Sequence, residues 1–117
     1  MAKFTCTLKG NYNALLSQIE RDILNGSVSA SYEDGCDWTV GDTQIAMRVY
    51  ERYSFAGGNR VSLSLTLAGG QDGTIQLCAV TSGGSQAVLW KINTFGEEAF
   101  LDCLRETVEA YKRGAAE

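Results

Sequence analysis

Residues 60–68, RVSLSLTLA, alternate without a break: Val61, Leu63, Leu65 and Leu67 fall on one face, Ser62, Ser64 and Thr66 on the other. Successive side chains of a strand point to opposite sides, so this stretch predicts a strand with one buried face and one wet face. A strand of that kind needs antiparallel neighbours and a cover for its leucines. Its flanks are turn-forming: Gly57-Gly58 before, Gly69-Gly70 and Asp72-Gly73 after. A third glycine pair, Gly83-Gly84, follows the run TIQLCAVTS, in which Ile75, Leu77 and Ala79 share a face. Strands separated by such bends describe an antiparallel meander.

The rest of the chain supplies neighbours and cover. Residues 3–9, KFTCTLK, alternate with Phe4, Cys6 and Leu8 on one side. Asn11 can cap a following helix, in which apolar residues at 12, 15, 16, 19, 23 and 24 form one stripe and Asn25-Gly26 ends the run. SVSASYEDG puts Val28, Ala30 and Tyr32 on an inner face, with a turn at Asp34-Gly35. CDWTVGD reads as a short strand, and Gly41-Asp42 as the next turn. Residues 43–55 form a longer strand. Ile45, Met47, Val49, Glu51, Tyr53 and Phe55 share one face; Gln44, Ala46, Arg48, Tyr50, Arg52 and Ser54 share the other. QAVLWKIN reads as the last strand. Thr94 with Glu97 then forms a capping box for a helix whose apolar residues fall at 100, 101, 104, 108 and 111. The Gly83-Gly84 bend is no phosphate loop, since it leads into a strand and lacks the G-x-x-x-x-G-K-[ST] pattern.

The expected fold class is therefore α+β with two layers: a meander sheet, a helix after the first strand and a long C-terminal helix on the apolar face, in the order β-α-β4/5-α. Residues 1–113 make one domain and 114–117 a frayed tail. This element order resembles the helix-grip fold of the START and pollen-allergen superfamily, with one N-terminal helix where larger members have two. That resemblance implies a curved sheet around the C-terminal helix. Separately, GGSQAVLWKINTFGEEAFL looks like the C-terminal part of a family of small bacterial proteins of unknown function. That resemblance implies a bacterial source and no particular activity.

Composition narrows the chemistry. The 117 residues, 44% of them hydrophobic, suffice for one core without staples. Ten Lys and Arg against 14 Asp and Glu leave a net charge of −4, which disfavours nucleic acid and anionic membranes. The opening MAKFTCTLKG has no apolar block of signal-peptide length, and no run approaches a membrane span. The expected location is a cytoplasm. Cys6, Cys36, Cys78 and Cys103 contain no C-x-x-C and are expected as free thiols there. No histidine is present, which removes the commonest general base, the usual triads and most zinc sites.

Several residues carry alternative readings. Glu51, interrupting an apolar face, is either a buried carboxylate able to work as acid or base, or a side chain turned outward by a bulge. Trp38, Trp90, Tyr32 and Tyr53 either line an apolar pocket or fill the core and its rim. Arg48, Tyr50 and Arg52, grouped with Ser62, Ser64 and Thr66, form a hydroxyl-rich face for an anion or a second copy, or a solvated sheet face. Asp34, Asp37 and Asp42 flank expected turns and either hold a calcium ion or serve those turns; the calcium-loop pattern D-x-D-x-D-G is missing, which favours turns. The best reading is a non-enzymatic domain holding a small apolar or amphipathic ligand between sheet and C-terminal helix. Trp90, Tyr53 and Trp38 would line that pocket, with Glu51 as the polar handle. The alternative is a self-associating interaction module using the Ser/Thr-rich face or an edge strand. Neither reading calls for a cofactor or a metal.

Overall fold

The computed structural model describes residues 1–53, 60–83 and 90–116, with side chains for 1–53, 60–83 and 96–114. The chain runs β1 (Ala2–Lys9), α1 (Tyr12–Asn25), β2 (Ser31–Val40), β3 (Thr43–Tyr53), β4 (Arg60–Gly69), β5 (Thr74–Gly83) and α2 (Trp90–Ala116). The strands form one antiparallel sheet in the order β1-β5-β4-β3-β2. The α+β class and the meander stand as expected; β1 joins the far side of β5 rather than its sequence neighbour.

Both helices pack on one face of this sheet. The alternating leucines Leu63, Leu65 and Leu67 of β4 are fully buried, with Ile75 and Ala79 of β5 beside them. Leu15, Ile19 and Ile23 of α1 and Phe100, Leu101, Leu104 and Val108 of α2 close over them. These are the stripes the helical spacing predicts. The Asn11 side chain accepts the Ala14 amide at 2.9 Å and caps α1. The helices are tied to each other by Thr107, which donates to Asp22 at 2.7 Å. The Tyr111 hydroxyl accepts the Asn11 amide at 2.6 Å, holding the end of α2 to the start of α1.

Four local expectations change. Asp34-Gly35 is not a turn: β2 runs through it, with a bulge between Tyr32 and Asp34 where the register with β3 shifts. A D-G pair favours a bulge as readily as a hairpin, because both need a backbone free of a Cβ. Residues 27–30 precede β2 rather than belonging to it, and Val28 is fully exposed. The last strand, QAVLWKIN, is replaced at its end by helix, since α2 already begins at Trp90; residues 84–89 lie outside the described residues, as do Gly57, Gly58, Ser54 and Phe55. The capping box falls with it. Glu97 sits two turns inside α2, and its buried carboxylate accepts the Gly83 amide at 2.8 Å, so it binds a strand end instead of the helix start. The expected turn at Gly41-Asp42 holds: Val40 pairs with Thr43 and Gly41 takes φ +58°, the first position of a II′ hairpin turn.

Gly35 shows why the bulge tolerates no side chain. A Cβ there would stand 2.5 Å from the Met47 carbonyl oxygen and 3.0 Å from the Tyr32 hydroxyl. Gly35→Ala is expected to destabilise the fold by about 1–3 kcal/mol, the range of an overpacked site. Urea unfolding followed by circular dichroism measures it; a midpoint equal to the parent protein would show that β2 yields freely.

Candidate functional site

The register decides which residues share a surface, because residues paired across antiparallel strands lie on the same face. On the covered face of β3 and β4, Arg48 stands opposite Leu65, Tyr50 opposite Leu63 and Arg52 opposite Val61. The face of β3 that goes inward is thus Ala46, Arg48, Tyr50 and Arg52, not the set with Ile45, Met47 and Val49. Long amphipathic side chains suit this border. Arg52 lies with its guanidinium 4.6 Å from the centre of the Phe100 ring, and its Nη1 donates to Cys103 Sγ at 3.5 Å. Arg48 holds Asp37 with two bonds of 2.9 and 3.1 Å and donates to the carbonyls of Cys36 and Met47.

The grouping of Arg48, Tyr50 and Arg52 with Ser62 and Ser64 therefore separates. Ser62 pairs with Glu51 and Ser64 with Val49, on the opposite side of the sheet from the two arginines. That opposite side has no described element packed against it, and we call it the open face. It divides at β4. Toward β1 it is lined with small polar side chains, Thr5, Thr7, Thr66, Gln76 and Cys78. With Ala68 they form a shallow trough of about 370 Å³. Toward β2 it carries large apolar ones: Trp38 (42% exposed), Val40 (62%), Met47 (38%) and Tyr53 (54%), with Ile45 and Val49 half-buried between them.

The pocket residues do not converge. Glu51 faces the open side and is paired with Arg60, whose guanidinium also sits 5.7 Å from the centre of the Tyr53 ring. Trp38 pairs with Ile45, eight residues from Tyr53 along the strands, so the two aromatics stand about 26 Å apart. The Trp90 side chain lies outside those described. Under α2 the space is filled by Leu63, Leu65, Phe100 and Leu104, all fully buried.

A second concavity of about 470 Å³ lies between α1 and the β2–β3 hairpin, lined by Tyr12, Leu16, Asp37, Trp38, Gln44 and Arg48 among others, so Trp38, one of the expected pocket residues, borders it. Burial and nearby Asp37 push the Tyr12 phenol up. Beside Arg48, the Tyr50 ring meets Tyr32 edge-on at 6.0 Å, and its hydroxyl is buried with no hydrogen-bond partner among the described residues. Desolvation, then the Glu20 carboxylate, drives the Tyr50 phenol well above its ordinary value. Nothing in the residue pattern around position 50 announces this orphan, because which face of β3 turns inward is not legible there. Among the described residues, no group of three or more Cys, Asp or Glu is placed to hold a metal ion.

An orphaned buried hydroxyl carries a desolvation cost without a bond in return. Tyr50→Phe is expected to keep the fold and leave the melting temperature unchanged or raised by up to about 5 °C; a clear drop in calorimetry would mean that the hydroxyl is bonded. The same residue sets a pH limit. The unfolded chain releases the phenol proton near 10.0 and the folded chain holds it. The stability this proton provides is complete below pH 10 and is lost as pH rises beyond it. The unfolding midpoint in urea should fall more steeply above pH 10 in the parent than in Tyr50→Phe; equal slopes would contradict this.

Comparison with known proteins adds one positive finding. No curated protein matches the chain. A family model described as a family of unknown function matches residues 1–112, nearly the whole of β1 through α2. With its five-stranded antiparallel sheet and two helices, the chain thus belongs to the family of unknown function DUF6054.

Proposed function

We propose that this domain is a non-catalytic interaction module whose working surface is the open face of the sheet. One observation carries the reading: Trp38, Val40 and Met47, three exposed large hydrophobic side chains, stand together on that face at the β2–β3 end, and Tyr53 adds a further exposed ring farther along β3. Exposed apolar patches of this kind mark sites of association more often than bare surface. Strand addition at an edge fits less well. The β2 edge is bulged and carries Glu33, Asp34 and Asp37, and β1 presents Lys3 and Lys9, the devices by which sheets discourage added strands. The chain has no histidine, and Asp37, Glu51 and Asp102 are each tied to an arginine, which favours a binding role over acid–base catalysis. A bacterial cytoplasm suits the four free cysteines.

Among the described residues, a small-ligand reading fits the groove beside α1 best. Its volume falls in the ~300–1,000 Å³ range of binding pockets, and the orphaned Tyr50 hydroxyl lies beside its Arg48 wall. Native mass spectrometry of protein purified from its own cells tests this. A retained small-molecule mass that Leu16→Arg abolishes supports the groove; a bare chain mass in every preparation removes it.

The principal reading is tested by thiol labelling. Cys36 and Cys78 are both exposed on the open face. Maleimide should modify Cys78 at least about threefold more slowly inside cells than in dilute purified protein, since covering a thiol blocks the reagent's access. Equal rates in cells and in purified protein diluted until it is monomeric would sink the proposal that this face has a partner.

A further inference from the structure

We infer that the occupant of the open face is a second copy of this chain, related by a two-fold axis that runs close to β4. The inference rests on the reading of that face as an interface and adds its partner and geometry. The strand order is balanced about β4: β5 and β1 on one side, β3 and β2 on the other. A rotation about β4 lays β3 over β5 and β2 over β1, and it keeps each residue at its level along the strands.

The pairings give those levels. Cys36, Met47, Thr66, Cys78 and Thr5 are successive partners across the sheet. Two residues along, the same chain of pairs joins Trp38, Ile45, Ala68, Gln76 and Thr7. The trough lies at these two levels on the β1 side, and the bulky Trp38, Ile45 and Met47 stand at the same two levels on the β2 side. The rotation sets Met47 over Cys78 of the second copy and Trp38 over its Thr7. The ridge of each molecule enters the trough of the other.

The level on the other side of centre joins Asp34, Val49, Ser64, Val80 and Lys3. Here the rotation sets Val49 over Val80 of the second copy and Asp34 over its Lys3. Among the described residues neither Asp34 nor Lys3 has an ion-pair partner within its own chain. An axis across the strands does the opposite. It lays each strand on itself and leaves the trough facing small side chains. Aligned sheets pack with strand directions within about 30° of each other, a condition that an axis close to the direction of β4 meets.

The area suffices. Five strands about 4.8 Å apart and about ten residues long present roughly 24 by 33 Å, or about 800 Å², to a partner. That is about the share each molecule contributes to an interface of standard size. The contact is isologous and closes on itself as a dimer.

Sedimentation equilibrium of the purified full chain under reducing conditions tests the inference. The parent should be a dimer. Lys3→Glu and Asp34→Lys should each weaken it by about tenfold or more, since each breaks two symmetric pairs and leaves like charges opposed. The double variant Lys3→Glu/Asp34→Lys should return to within about threefold of the parent, because the swapped charges pair again. Thr7→Trp, filling the trough at an exposed position, should abolish the dimer with the melting temperature kept. A parent that is monomeric at every concentration, a double variant as weak as the singles, or a Thr7→Trp protein that folds and dimerises as before would overturn the inference. A monomeric parent whose Cys78 is nonetheless shielded in cells would leave the face with a different partner; a monomer with no shielding would remove both readings.

Discussion

The arrangement depends on how β3 is turned against β4. Both faces of β3 could serve as an inner face: one offers Ile45, Met47 and Val49, the other Ala46 and Tyr50 between two arginines. Pairing Tyr50 with Leu63 and Arg48 with Leu65 sends the arginines toward the helices and the aliphatic side chains away from them. A slip of one residue would exchange the two sets completely. In the observed register the core ends at a border of long side chains, Arg52 against Phe100 and Arg48 against Asp37. The same register leaves the apolar residues of β3 on a surface that no described element covers.

Much of the fold was legible because local pattern and tertiary demand agree there. The unbroken alternation of β4 specifies both a strand and its buried face. The spacing of Leu15, Ile19 and Ile23 specifies α1, and Asn11 caps it as its side chain allows. Where two structures share one local signal, the pattern misleads. Asp34-Gly35 suits a hairpin and a bulge alike, and the bulge occurs. Thr94 and Glu97 have capping-box spacing, yet α2 starts earlier and Glu97 serves β5.

The candidate surface was less legible than the fold. Trp38, Tyr53 and Glu51 were identifiable as unusual, but their common face emerges only when β3 is placed. The trough is a product of pairing between β1 and β5, whose small side chains look unremarkable in sequence. The family match covers residues 1–112 and leaves the chemistry to be argued from this surface.

The placement of β1 has a consequence for the order of events during synthesis. Ala2 pairs with Thr81 and Lys9 with Thr74. The first strand leaves the ribosome long before its partner exists. At roughly 5–20 residues per second, several seconds separate the two. During that interval the apolar side of β1 has no sheet to join, and α1 has no core to cover. The β2–β3–β4 meander can form by local hairpin closure, but the sheet is complete only when β5 inserts between β4 and the waiting β1. A non-local pairing of this kind makes folding slow relative to the chain's size. The nascent chain therefore carries an unpaired first strand until β5 emerges.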